Sequence, residues 1–122
     1  MSESPTILSV GQCGIDGPRI QKFLENEFEA KVISARSVDD ANSELDGGSF
    51  DLVLTNRILD ATGEEGMDVV RAARKHETPV ILVSNYDDAQ QKAEAAGAAP
   101  GFGKAKLDAS ETRDRIANAL QG

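Results

Sequence analysis

Four short apolar runs, separated by stretches of helical periodicity, restrict this chain more than any other feature. Ile7-Leu8-Ser9-Val10, Lys31-Val32-Ile33-Ser34, Leu52-Val53-Leu54 and Val80-Ile81-Leu82-Val83 each read as a strand. The runs are continuous rather than alternating, which is the pattern of a parallel sheet covered on both faces. Between them Ile20, Phe23, Leu24 and Phe28 recur at three- and four-residue spacing, as do Met67, Val70 and Ala73. Ile116, Ala119 and Leu120 place an apolar stripe on a last helix. Gly101-Phe102-Gly103 is the weakest strand signal, short and flanked by glycine. Alternating strand–helix units with right-handed crossovers predict a doubly wound α/β sandwich. Binding sites in such a sheet lie beyond the C-terminal strand ends, here just after Val10, Leu54, Val83 and Phe102.

Local chemistry agrees with these divisions. Ser37 with Asp40, and Asp108 with Glu111, have capping-box spacing ahead of helical stretches. Gly47-Gly48 and Gly97 supply helix stops, and Pro79 favours an extended entry to the fourth strand. At 122 residues the chain reads as a single domain over 1–122. Its net charge of −8 argues against a sequence-independent grip on nucleic acid or adhesion to anionic membranes. No apolar stretch is long enough to span a bilayer, and the first residues do not resemble a secretory signal. Cys13 is the only cysteine, so an intrachain disulfide is excluded and a reducing, cytoplasmic setting is expected.

Three segments and their order carry a resemblance. Asp51-Leu52-Val53-Leu54-Thr55-Asn56-Arg57-Ile58-Leu59 is followed by Thr78-Pro79-Val80-Ile81-Leu82-Val83-Ser84, then by Ala95-Ala96-Gly97-Ala98 leading to Lys104. From about Thr6 to Leu120 the chain resembles the receiver domain of bacterial response regulators. The resemblance implies a flavodoxin-like (βα)5 fold whose five-stranded parallel sheet has the order 2-1-3-4-5. It also implies a role in two-component signal transduction or a phosphorelay. Ser84 falls where receivers place the hydroxyl that contacts the phosphoryl group, and Lys104 falls on their site lysine. The phosphoacceptor aspartate is replaced by Asn56, and the acidic pair that holds Mg²⁺ by Gly11 and Gln12. An amide is a poor nucleophile, and Mg²⁺ wants carboxylates in its octahedral shell. The aromatic switch position on the fifth strand falls at Gly101, and the lysine–proline step becomes Lys104-Ala105.

The resemblance therefore implies a degenerate, standalone receiver module that works by protein–protein interaction, without enzymatic activity, cofactor or metal. Receivers use the face of the fourth helix, fifth strand and fifth helix for partners or for homodimers. Here that face is expected to carry Asp87, Asp88, Lys92, Glu94, Arg113 and Arg115, suited to selective charge pairing. One alternative is a small-anion or nucleotide site built from Ser84, Lys104 and the turn Gly11-x-x-Gly14-x-x-Gly17. That spacing does not match the dinucleotide fingerprint. In this reading Lys104 has no matched acid to pair with. Another alternative is an unusual phosphorylatable regulator in which Asp16 or Asp60 replaces the missing acid. Each residue also has a plain structural reading. Asn56 is expected to bond a loop, Ser84 to end a strand, Cys13 to be inert and His76 to suit a helix C-terminus. The stretch from Asp60 to Gly66 reads as a solvated acidic loop.

Overall fold

Successive strand residues face opposite sides of a sheet, so a strand that is apolar at every position needs a covering layer on each side. The computed structural model, which describes residues 4–121, supplies both layers. Its strands are β1 (Thr6–Val10), β2 (Lys31–Ala35), β3 (Leu52–Asn56), β4 (Val80–Val83) and β5 (Ala99–Phe102). They form one parallel sheet in the order β2-β1-β3-β4-β5. The helices are α1 (Asp16–Phe28), α2 (Val38–Gly47), α3 (Gly66–Lys75), α4 (Asp87–Ala95) and α5 (Ser110–Leu120). No described helix is long and apolar enough to cross a membrane.

Two apolar clusters hold the layers together. Leu8, Val53, Val80 and Leu82 pack with Ala41, Leu45, Val69, Val70 and Ala93 of α2, α3 and α4. Ile7, Leu52, Leu54, Ile81 and Val83 pack with Ile20 and Leu24 of α1 and Ile116 of α5. Each fully buried Leu, Ile or Val contributes about 1.5–3 kcal/mol, so the sheet faces dominate stability.

The structure adjusts several boundaries. β5 is Ala99–Phe102 rather than Gly101–Gly103, and it includes Pro100. The register with β4 breaks between the pairs Ile81–Ala99 and Val83–Phe102, leaving Pro100 and Gly101 opposite Leu82. Proline lacks a donor and fits such a bulge on an edge strand. Ser37 caps α2 as expected, its Oγ accepting from the Asp40 N–H at 3.0 Å. The box at Asp108 does not form. α5 starts at Ser110, and Ala109 stands at its cap without a side-chain bond. The Thr112 hydroxyl instead donates to the Lys106 carbonyl at 2.6 Å, closing the short 3-10 turn Lys104–Lys106 onto the helix.

The loop after β3 is more ordered than a solvated acidic turn. Leu59 N–H donates to Glu64 O and Gly63 N–H to Leu59 O, and Ile58 bridges Glu65. The Glu64 carboxylate accepts from the Val38 N–H at 3.1 Å, so it serves the start of α2. Across the α2–α3 pair, His76 Nδ1–H donates to Ala72 O at 2.9 Å and Nε2 lies 2.6 Å from Asp46 Oδ1. The Ala72 carbonyl first, and then Asp46, raise the His76 pKa above its ordinary value. The charged form is favoured in the folded chain, so the resulting stability is complete below about pH 6.5. It is lost as pH rises through the raised value. Urea midpoints should fall between pH 5.5 and 8.5 in the native chain, and His76→Ala should remove that part of the fall. An unchanged pH slope in the variant would show that the contact has no energetic weight.

Candidate functional site

The C-terminal strand ends meet around Asn56, the last residue of β3, which is partly buried. Its Nδ2 donates to Ile58 O at 3.0 Å and reaches Gly11 O at 3.4 Å. The amide thus spends its protons on two loop carbonyls. A carboxylate in the same pose would present lone pairs to lone pairs. Asn56 acts here as a strand-end tie, as its plain structural reading expects.

Position 11 is itself closed to an acidic side chain. Its φ is +74°, a region that glycine reaches far more readily than other residues. A Cβ added there would lie 2.5 Å from Leu59 Cγ and 2.8 Å from Leu59 Cα. Leu59 is fully buried and so has little freedom to yield. Asp60 N–H donates to Gly11 O at 2.9 Å, pinning the two loops together. Gln12 contributes only a marginal bond, Nε2 to Val10 O at 3.5 Å, and its Oε1 is buried without a partner.

Lys104 is the principal correction to the sequence-based picture. It is not unpaired, because its Nζ stands 2.8 Å from Asp16 Oδ2. Asp16 opens α1 and also accepts from Arg19 Nη1 at 3.2 Å. The Cys13 thiol donates to Asp16 Oδ2 at 3.4 Å, while Asp16 N–H donates to Cys13 Sγ at 3.3 Å. The hydrogen bond from Lys104 is the main cause that holds the Asp16 carboxyl below its ordinary range, and burial acts against it. The charge that would attract an anion is therefore neutralised from within the chain. The other candidate acid, Asp60, lines one cavity with Gln12 and Arg36 and makes no ion pair with Lys104.

These residues do not fit a magnesium ion. Gly11 offers no side-chain ligand, Asn56 points its donors at carbonyls, and Asp16 is committed to Lys104. Among the described residues no three His, Cys, Asp or Glu side chains gather as a metal site. Ser84 is buried at the end of β4, where its Oγ accepts from Tyr86 N–H at 3.1 Å. Its own N–H donates to Phe102 O.

The residues of the expected partner face each make local contacts of their own. Arg113 turns to α1 and pairs with Glu27 at 2.8 Å. Arg115 donates to the Gly101 carbonyl and reaches Glu111 at 3.6 Å. Asp87 borders the groove that contains Arg115, whereas Asp88 and Lys92 line a different groove with Arg57 and Tyr86. Glu94 is exposed on α4. The second groove has a volume of about 320 Å³ and a floor that includes Met67 and Leu82. The Arg57 guanidinium lies 5.0 Å from the centre of the Tyr86 ring, which is 59% exposed.

Sequence reasoning also missed Gln90. From α4 its Nε2 donates to Leu82 O at 2.8 Å and Ser84 O at 3.1 Å, and reaches Phe102 O at 3.4 Å. It occupies the space beside Gly101, whose added Cβ would meet Gln90 Oε1 at 2.5 Å. The glycine at 101 was the available signal, since a missing side chain next to a buried strand must be filled by something else.

No family model and no curated protein matches the chain. Solved structures do. The signal receiver domain of the response regulator NarL from Mycobacterium tuberculosis is 20% identical, with 99% of each chain covered and a TM-score of 0.81. The BeF3-activated receiver domain of RstA from Klebsiella pneumoniae is 22% identical, with 96% of this chain and 99% of that one covered, at a TM-score of 0.81. NtrX from Brucella abortus is 19% identical over 98% of this chain at a TM-score of 0.76, and this chain spans 28% of that protein's length. At these identities the likeness establishes the fold: the five-stranded, flavodoxin-like arrangement of response regulator receivers.

Proposed function

We propose that this chain is a degenerate receiver module of a bacterial signalling pathway, acting in the cytoplasm through protein contacts rather than aspartyl phosphorylation or enzymatic turnover. The observation that carries this reading is the Asn56 amide, whose donors face the carbonyls of Ile58 and Gly11. Support comes from Gly11, closed off by Leu59, and from Lys104, held by Asp16. The acceptor, the metal ligands and the cation that serve phosphotransfer in receivers are thus each replaced or occupied. The groove at Tyr86 and Arg57 is the better contact surface. Exposed Tyr and Arg beside an apolar floor are the residue types that concentrate binding energy in protein interfaces. Capture of a partner, or of a second copy, should weaken with Tyr86→Ala and remain unchanged with Arg113→Ala.

Intact-mass measurement after incubation with acetyl phosphate and Mg²⁺ should reveal no phosphoryl adduct. Beryllofluoride should leave the amide spectrum of these loops unchanged. A phosphoryl adduct on Asp16 or Asp60 would overturn the proposal in favour of a rerouted phosphoacceptor. Asn56→Asp should remain unmodified and lose about 1–3 kcal/mol of stability, the usual cost of setting a buried acceptor against acceptors. Protonation would give the new carboxyl a donor again, so the loss should shrink at low pH.

A further inference from the structure

A cavity of about 300 Å³ lies between the first turns of α1 and the C-terminal ends of β1 and β2. Its lining includes Ser9, Gln12, Gln21, Ser34, Arg36 and Asp60. Ser9 and Ser34 are register partners on adjacent strands. Ser9, which lines the cavity, is only 4% exposed. Gln12 Oε1 is buried and without a partner. An uncompensated buried polar atom against a cavity is costly, at about 1–3 kcal/mol, and such an atom calls for a partner.

Charge narrows the chemistry. Arg36 follows the end of β2 and Asp60 follows β3, so the two stand on opposite sides of the β1 terminus. Strand spacing sets their backbones roughly 10 Å apart, a gap that the long Arg36 side chain shortens. Neither residue forms an ion pair among the described residues. The site therefore offers one cation, one anion and neutral hydroxyl and amide groups. A phosphate-bearing ligand suits it poorly. The first-turn amides of α1 are already used, Asp16 N–H by Cys13 Sγ and Gly17 N–H by Cys13 O, and Pro18 has none. A neutral polyol would leave both rim charges unused.

We propose that this cavity binds a small zwitterion of the free α-amino-acid class, with its carboxylate toward Arg36, its ammonium toward Asp60 and its polar atoms against Ser9 and Gln12. The site adjoins the Asn56 region through Gly11 and Gln12, and the proposal does not depend on whether the chain is phosphorylated. The test is a titration of the isotope-labelled full chain with the standard free amino acids, pooled and then singly, beside sorbitol, adenosine and inorganic phosphate. Saturable amide shifts at Ser9, Gln12 to Gly17 and Ser34 to Arg36 are expected with one or a few amino acids. Arg36→Ala, at an exposed position, should weaken binding about tenfold or more, the worth of a charge-assisted hydrogen bond. Ser9→Ala should weaken it several-fold while leaving the fold intact. The proposal is overturned if no amino acid gives a saturable shift. Sorbitol, adenosine or phosphate giving the same shifts, or Arg36→Ala binding as tightly as the native chain, overturns it equally.

Discussion

Aspartate introduced at position 11 should destabilise the chain by about 2–5 kcal/mol, and it should not create a magnesium site. Two costs add. A side chain at a φ of +74° costs about 1–2 kcal/mol in the left-handed region. The new Cβ also meets Leu59 at 2.5–2.9 Å, including its Cα, so backbone as well as side chain must move. Such overpacking typically costs about 1–3 kcal/mol more. Gly11→Ala carries both costs without a charge, so its urea-unfolding loss should approach that of the aspartate variant. Trimming the obstacle, as in the double variant with Leu59→Ala, should give less than the sum of the single losses, because the cavity and the intruding group compensate. A loss below about 0.5 kcal/mol for Gly11→Asp, the scale of ordinary surface substitutions, would mean that the loop relaxes freely. The closed state of the site would then be no barrier to an acid at this position.

This contrast shows which parts of the molecule were legible in the sequence. The strands of the two apolar clusters were readable because a run such as Val80-Ile81-Leu82-Val83 leaves only a two-sided burial solution. The neutral side chains at positions 11, 12 and 56 were readable too, because the identity of a functional group is a property of one residue. The contacts around them were not. The Lys104–Asp16 pair joins the start of α1 to the turn after β5, a contact between elements far apart in sequence. Asp16 entered the sequence reading only as a substitute acceptor, never as a counter-ion. The contacts of the α5 arginines were hidden for a related reason. Spacing places Arg113 and Arg115 on one helix, but it does not say that Glu27 draws one toward α1 while the Gly101 carbonyl holds the other. The box at Asp108 matched in letters and lost to a competing acceptor, the Lys106 carbonyl, which the 3-10 turn brings to Thr112. β5 was misplaced by two residues because a bulge hides the pairing of a proline-containing edge strand.

Placing an aromatic residue at position 101 should be the second large perturbation. In Gly101→Tyr the Cβ would lie 2.3 Å from Leu82 O, a backbone atom of β4, and 2.5 Å from Gln90 Oε1. The Gln90 amide would be expelled, and with it the bonds to Leu82 O and Ser84 O. At about 1 kcal/mol per hydrogen bond, plus overpacking of about 1–3 kcal/mol, the expected loss is about 3–5 kcal/mol. Gln90→Ala alone should cost about 1–3 kcal/mol by leaving those carbonyls without their donor, and it should speed amide exchange in α4. The double variant decides what the amide contributes. With Gln90 already truncated the tyrosine no longer displaces it, so the combined loss should fall short of the sum of the two single losses. Full additivity would mean that the Leu82 carbonyl alone excludes a side chain. Coupling would mean that Gln90 fastens α4 to the sheet in one arrangement, since its amide fills the space that a turning aromatic would need. A ligand shifts a conformational equilibrium only through its differential affinity for two states, and a fastened α4 leaves one state populated. Partners would then meet a preformed surface at Tyr86 and Arg57. Hydrogen exchange across α4 should be unchanged by acetyl phosphate in the native chain and faster in Gln90→Ala, while a native α4 that already exchanges at the rate of the variant would show that the amide fastens nothing.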